Sequence, residues 1–303
     1  MTATLLEEST CDVVPDTPTR LNWLSFDPQQ VLQHFNQRPF LIEHRLCDHP
    51  LFELERLLAL CRQLPVQHVE YNAGNLPVNQ DQALTPRNGL SAEETIRRIR
   101  DCQSWMVLKW VEYDPEYRQL LHECLAELRP YTEQVVPGMR FPQAFIFITS
   151  PHSVTPYHID PEHNFLLQIR GNKYIRLYDG SNRELLPEED LERFYALRVR
   201  NLVLKDEYRE RCWLYDLQPG QGLHFPVTYP HWVQNGADVS ISFSITFRTP
   251  DLERRRQVYQ VNHWLRKQGW RGTPYGQSWW KDQMKYQTLR VIQRLSRFIN
   301  RGS

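Results

Sequence analysis

The chain has no apolar run approaching the length of a membrane span, and its first residues, with two glutamates by position 8, form no hydrophobic core for secretion. A membrane protein is therefore not expected, and a cytoplasmic one is. The sequence also lacks an excess of either charge: 36 basic residues face 36 acidic ones, so whole-chain electrostatics favours no polyanionic partner. Its six cysteines, at positions 11, 47, 61, 102, 124 and 212, have neither C-x-x-C pairs nor zinc spacing. That argues against a structural zinc module and for reduced thiols.

What is present reads as helices followed by strands. Asp27-Pro28 supplies the cap and first-turn proline of a short helix, Ser91 with Glu94 is a capping box, and Asp114-Pro115 caps a further helix. Residues 65–90, with Pro65, Gly74, Pro77, Pro86 and Gly89, read equally as a lid or as an ordinary connection. Ala144–Ile148 is the first strong strand of a β-rich stretch that runs to Phe247. Helices that precede strands, instead of alternating with them, favour an α+β layout over a doubly wound sheet. After Pro250 two helices are predicted, over about 251–268 and 278–300, the second with Met284, Thr288, Val291, Leu295 and Phe298 on one stripe.

From Val239 to Phe247 the sequence VSISFSITF alternates without fault, with Ser240, Ser242, Ser244 and Thr246 on one face and apolar side chains on the other. Charged residues are the commoner choice on a solvated face. Four short hydroxyls instead point to a narrow polar cavity inside a small barrel.

In an extended segment His158 and Asp160, two residues apart, project into the same space. His231 stands where the turn Pro226–Pro230 gives way to another strand. Two imidazoles and one carboxylate on one side of a metal leave open positions on the other, the facial arrangement of non-haem Fe(II) oxygenases. A closed zinc site would fill its fourth position with protein, usually cysteine, and none lies nearby. A lone H-x-D is a weak signal, more often a polar strand end with satisfied hydrogen bonds than a metal site.

The neighbouring residues add a resemblance. Thr155 to Lys173 reads T-x-x-H-x-D-x-x-x-N-F-L-L-Q-I-x-G-x-K, and Pro219 to His231 reads P-G-x-x-L-x-x-P-x-x-x-x-H. Over roughly Phe145 to Phe247 the sequence resembles the JmjC-type, cupin-fold 2-oxoglutarate oxygenases, especially the small hydroxylase branch that includes the asparaginyl hydroxylase of the hypoxia pathway. The resemblance implies a double-stranded β-helix (jelly-roll) barrel with N-terminal helices and a C-terminal helical pair. It implies that His158, Asp160 and His231 ligate Fe(II), that Lys173 and Thr155 hold the distal carboxylate of 2-oxoglutarate, and that Asn164 lies near its metal-bound end. Thr246 stands where the asparaginyl hydroxylase has an amide facing the cosubstrate. Lys173 has independent support: a buried ammonium is costly without an anion, and a dicarboxylate supplies one.

The expected organisation is a flexible tail over residues 1–18, a catalytic domain over 19–250 with its core at 141–250, and a helical dimerisation region over 251–303. The expected chemistry consumes 2-oxoglutarate and O2 and releases succinate and CO2. The substrate is a protein or peptide side chain or a small metabolite, and hydroxylation is preferred to N-demethylation because no zinc finger or chromatin-reading module accompanies the barrel. A homodimer through the C-terminal helices is preferred to nucleic-acid binding, although residues 278–303 carry six basic side chains and one acidic. His224 is read as packing, with a triad built on it as the main site-level alternative. His163 is expected at the surface or behind the ligands, His152 at the pocket rim, and Arg183–Phe194 as a solvated charge run. The rival functions are a metal-binding cupin of other chemistry and a non-catalytic binding or regulatory protein of the same fold.

Overall fold

The computed structural model describes residues 22–299, with side chains described to residue 294. The tail expected over residues 1–18 lies outside them. In chain order the elements are β1 (Leu24–Ser25), α1 (Pro28–His34), β2 (Phe40–His44), α2 (Leu54–Gln63), β3 (Val69–Ala73), α3 (Ala92–Arg97), β4 (Ser104–Lys109), α4 (Pro115–Val135) and β5 (Arg140–Thr149). There follow β6 (Val154–His158), β7 (His163–Arg170), β8 (Lys173–Leu177), α5 (Glu188–Leu197), β9 (Trp213–Leu217), β10 (Gln221–Phe225), β11 (His231–Asn235), β12 (Ser240–Arg248), α6 (Pro250–Lys267) and α7 (Trp279–Ile299). Asp27, Ser91 and Asp114 cap their helices as their sequence patterns predict, and the Ser91–Glu94 box is closed from both sides.

An eight-stranded antiparallel sheet, in the order β1-β2-β10-β7-β12-β5-β4-β3, faces a four-stranded one in the order β6-β11-β8-β9. The α+β jelly-roll expectation therefore holds. The larger sheet takes its edge strands, β1–β2 on one side and β3–β4 on the other, from the N-terminal part of the chain.

Three apolar clusters fix the layers. Phe165, Leu167, Phe243, Ile245 and Phe247, on one face of β7 and β12, pack with Leu57, Leu121 and Leu128 of the N-terminal helices. Phe243 is fully buried, which contributes roughly 1.5–3 kcal/mol. Leu166, Ile175, Leu223 and Val233 pack between the two sheets. Tyr157, Tyr178 and Trp232, on the outer face of the smaller sheet, pack against Leu191, Phe194 and Tyr259 of α5 and α6.

Arg183–Phe194 is a correction to its expected solvated character. It contains the start of α5, and the 1% exposed carboxylate of Glu192 accepts from the Arg266 guanidinium of α6. A helical period hides in that charge run because Leu191, Phe194 and Tyr195 share the buried face. Residues 65–90 are also more ordered than their composition predicts. They hold β3, and Glu70, Asn72 and Gln82 line a cavity between the two sheets. Both C-terminal helices fall within about a residue of the predicted bounds. Among the described residues, no helix is long and apolar enough to cross a membrane.

Candidate metal centre and cosubstrate pocket

β6, β11 and β8 are neighbours, which gathers segments far apart in the sequence. His158, the last residue of β6, lies opposite His231, the first of β11. Asp160 follows two residues beyond the strand, and its backbone carbonyl accepts from the Thr228 N–H at 2.9 Å. Thr228 holds a left-handed φ of 62°, and its hydroxyl accepts from Arg255 of α6 at 2.8 Å. The turn that carries Asp160 is thus tied to the C-terminal helix.

One ligand atom from each of His158, Asp160 and His231 lies within 4.8 Å of the others, and among the described residues no other group of three metal-binding side chains comes together. Each imidazole Nε2 is 3.7 Å from Asp160 Oδ2. The far nitrogens are tied: His158 Nδ1 donates to the Pro156 carbonyl at 2.7 Å and His231 Nδ1 to the Tyr229 carbonyl at 3.0 Å. A carbonyl can only accept, so each Nδ1 carries the proton and each Nε2 offers its lone pair to the cluster. Burial pushes His158 down to about 3, with His231 adding to the effect, and it lowers His231 as well. Burial alone would raise Asp160, but the Arg200 guanidinium and the two histidines hold its carboxyl well below the usual range. Two neutral imidazoles and one carboxylate are the donor set of a divalent, nitrogen- and oxygen-liganded ion such as Fe(II), and with three protein ligands positions stay open.

A cavity of about 350 Å³ opens beside this cluster, between the sheets, and Thr155, Asn164, Lys173 and Thr246 all line it. Lys173 is only 4% exposed. Among the described residues no carboxylate or hydrogen-bond acceptor pairs with its ammonium, which lies 5.7 Å from the ring centre of Phe147. Burial alone pushes it down to about 7. Leaving a charge there without a partner costs several kcal/mol, so the pocket fits an anion. Asn164 accepts from Ser244 at 2.7 Å, and Thr246 donates to the Gln143 carbonyl at 3.2 Å.

The hydroxyl face of β12 is only half a cavity wall, which corrects the expectation for that strand. Ser244 and Thr246 line the cavity, whereas Gln168 of β7 takes up Ser240 and Ser242 at 2.9 and 2.7 Å and closes the barrel behind them. His224 is packing, as read: its ring stacks on Phe35, its Nδ1 donates to the Asn164 carbonyl, and its Nε2 accepts from the Asn36 N–H. His163 is not a surface residue. It is fully buried against Phe35 and Phe247, on the helix side of the sheet. His152 is not on the rim, and lies in a turn at φ 60° outside the cavity lining.

Sequence reasoning missed the charged mouth. Arg200 donates to Asp160 Oδ1, Arg248 to Glu162 at 2.7 Å, and Lys109 to Glu70, and all six residues line the cavity. No local pattern marks them, because each pair joins residues far apart in the chain. It also missed the wall of Trp105, Val107, Phe145 and Phe147, which comes from the alternation of β4 and β5 once their pairing is known.

A match to the cupin-like domain family runs from residue 36 to residue 253. The chain belongs to that family. Within it, the expected resemblance to JmjC-type proteins holds. JmjC domain-containing protein D of Dictyostelium discoideum is 35% identical over 100 residues, and lysine-specific demethylase 8 of Xenopus tropicalis 32% over 104. Each match takes in 31% of this chain and spans only 22% of the relative's length. Among solved structures, the ribosomal oxygenase YcfD of Escherichia coli overlays with a TM-score of 0.51 at 15% identity, over 89% of this chain and 67% of that one. A second YcfD structure gives the same score at 14% identity, over 90% and 69%. At such identity the agreement is one of cupin fold.

Proposed function

We propose that the protein is an Fe(II)- and 2-oxoglutarate-dependent oxygenase that hydroxylates a side chain of a protein substrate. The observation that carries this reading is the sharing of one cavity by an open three-ligand cluster and a buried ammonium without an anion. Iron held by His158, Asp160 and His231 would supply the redox chemistry by which 2-oxoglutarate and O2 become succinate and CO2, one oxygen atom entering succinate and the other the substrate.

The chain's own residues bind and orient. Lys173, with Thr155 from β6 lining the same cavity, takes the distal carboxylate of the cosubstrate, and Asn164 and Thr246 line the cavity from the larger sheet. Phe147, Ile175, Phe225 and Val233 give the cavity apolar lining. A protein substrate is supported by two similar proteins, one named a lysine-specific demethylase and the other a ribosomal oxygenase. Hydroxylation is preferred to demethylation because, among the described residues of the cavity lining, Glu70 and Glu162 already pair with Lys109 and Arg248 and Asp160 belongs to the metal cluster, so none of the three is free for a methylated ammonium.

The test is succinate release by the iron-loaded protein with a pooled peptide library, followed by mass analysis of the peptides. Release that needs both iron and 2-oxoglutarate, with one oxygen atom gained by a peptide, is expected. Loss of a methyl group as formaldehyde would overturn the hydroxylase assignment, and no release under any condition would favour a cupin of other chemistry.

Two copies are further proposed to pair through the C-terminal helices. In support, Trp279, Trp280, Met284 and Val291 of α7 are each more than half exposed, an apolar surface that pairing would cover. Leu295 and Phe298 of the predicted stripe lie outside the described side chains. Light scattering should report the mass of a dimer, and Trp280→Glu with Val291→Glu should reduce it to that of one chain. A monomeric wild-type protein would contradict the pairing.

A further inference from the structure

Arg200 lies between α5 and β9, and its backbone is tied to the end of β6. The Ile159 N–H donates to the Arg200 carbonyl at 3.3 Å, the Leu202 N–H donates to the Tyr157 carbonyl at 2.9 Å, and Asn201 bridges His158. These bonds place the side chain over Asp160, where Arg200 Nη2 donates to Oδ1. The other carboxylate oxygen, Oδ2, is the one 3.7 Å from both imidazole nitrogens. Glu162 and Glu70 add negative charge near the guanidinium.

The three ligand side chains are therefore each held from behind by one group: His158 by the Pro156 carbonyl, His231 by the Tyr229 carbonyl, and Asp160 by Arg200. The first two fix a tautomer. The third fixes which oxygen faces the metal. An unrestrained carboxylate can rotate and give both oxygens to a metal ion, taking a position that the cosubstrate or O2 requires.

We propose that Arg200 is a positioning residue which, by holding Asp160 Oδ1, presents Asp160 to the metal through Oδ2 alone. The inference rests on the iron-site reading, since without a metal the contact would be an ordinary ion pair.

Two roles for this guanidinium make opposite forecasts. If it acts only as a charge, its removal relieves repulsion of the metal dication and leaves a more basic carboxylate, so metal binds more tightly. If it acts by orientation, its removal frees the carboxylate and metal binds more weakly, by the roughly 10–100-fold typical of partners behind a ligand. Orientation is the role proposed.

The experiment is calorimetric titration of the full chain with cobalt(II), an air-stable substitute for Fe(II), together with the visible absorption of bound cobalt, which reports ligand number and geometry. Wild-type protein, Arg200→Gln and Arg200→Lys are compared. The expected result is a dissociation constant about 10–100-fold higher in Arg200→Gln, with an altered cobalt spectrum and substantial recovery of both in Arg200→Lys. Circular dichroism of the metal-free proteins should be unchanged, because the backbone and not the side chain ties this segment to β6. Arg200→Met provides the same comparison if the glutamine variant does not fold. Equal or tighter binding by Arg200→Gln or Arg200→Met, with the wild-type spectrum, would overturn the inference alone. Failure of the wild-type protein to bind cobalt would overturn the iron-site reading and the inference with it.

Discussion

Asp160→Ala is expected to leave a folded protein whose affinity for Fe(II) or cobalt(II) has fallen by more than about a hundredfold, beyond the range seen when a group behind a ligand is removed. Asp160 is the single carboxylate of the cluster, so its loss leaves two neutral imidazoles with no anion to offset the charge of the metal. The fold should survive. What holds the Asp160 turn is its backbone carbonyl on the Thr228 N–H, which alanine keeps, and the Arg200 side chain left behind is 45% exposed and can be solvated. Metal content after dialysis, read beside the circular dichroism spectrum, checks both halves. Wild-type affinity in Asp160→Ala would place the metal elsewhere.

Lys173→Met should produce two effects of opposite sign. Affinity for 2-oxoglutarate should fall by roughly 10²–10³-fold, the usual result of removing one partner of a buried charge pair. Stability of the protein without cosubstrate should rise, because methionine of similar length replaces a buried ammonium that has no anion in the fold. The pH dependence comes from the same shift. In the folded chain Lys173 is pushed down to about 7 from 10.5, so across that interval the unfolded chain holds a proton that the folded chain has lost. Unfolding then takes up a proton, and stability rises with pH. The penalty, of the order of a few kcal/mol, is fully present below pH ~7 and gone above ~10.5, and Lys173→Met should remove this dependence. Thermal melts between pH 6 and 9 test it. A variant that is less stable than wild type and binds 2-oxoglutarate normally would mean that Lys173 is only a packing residue.

The parts of the fold that could be read from the sequence are those set by local period or capping. β12 announces itself through strict alternation and α7 through an apolar stripe, and Asp27, Ser91 and Asp114 mark helix starts by chemistry that acts within a few residues. The candidate metal cluster was readable because His158 and Asp160 share one strand end and His231 opens another, in motifs dense enough to carry a resemblance.

What escaped depends on contacts between distant residues. Arg200 meets Asp160 across 40 positions of sequence, and nothing in its neighbours forecasts that a loop will pair with β6. Gln168 takes two of the four β12 hydroxyls, and only the register of β7 against β12 shows it. The charge run at Arg183–Phe194 concealed a buried Glu192 because its partner, Arg266, lies on a helix 74 residues away. His163 and His224 could be told from ligands only by their faces, since β7 and β10 point both rings at Phe35 and away from the cluster.

The most direct test of the central claim is an anaerobic titration of the iron-loaded protein with 2-oxoglutarate, followed by the weak visible charge-transfer absorption of the iron chelate. The account predicts a saturable band in the wild-type protein, no band in Asp160→Ala, and saturation only at far higher 2-oxoglutarate in Lys173→Met. A wild-type protein that binds iron yet shows no band at any 2-oxoglutarate concentration would contradict it.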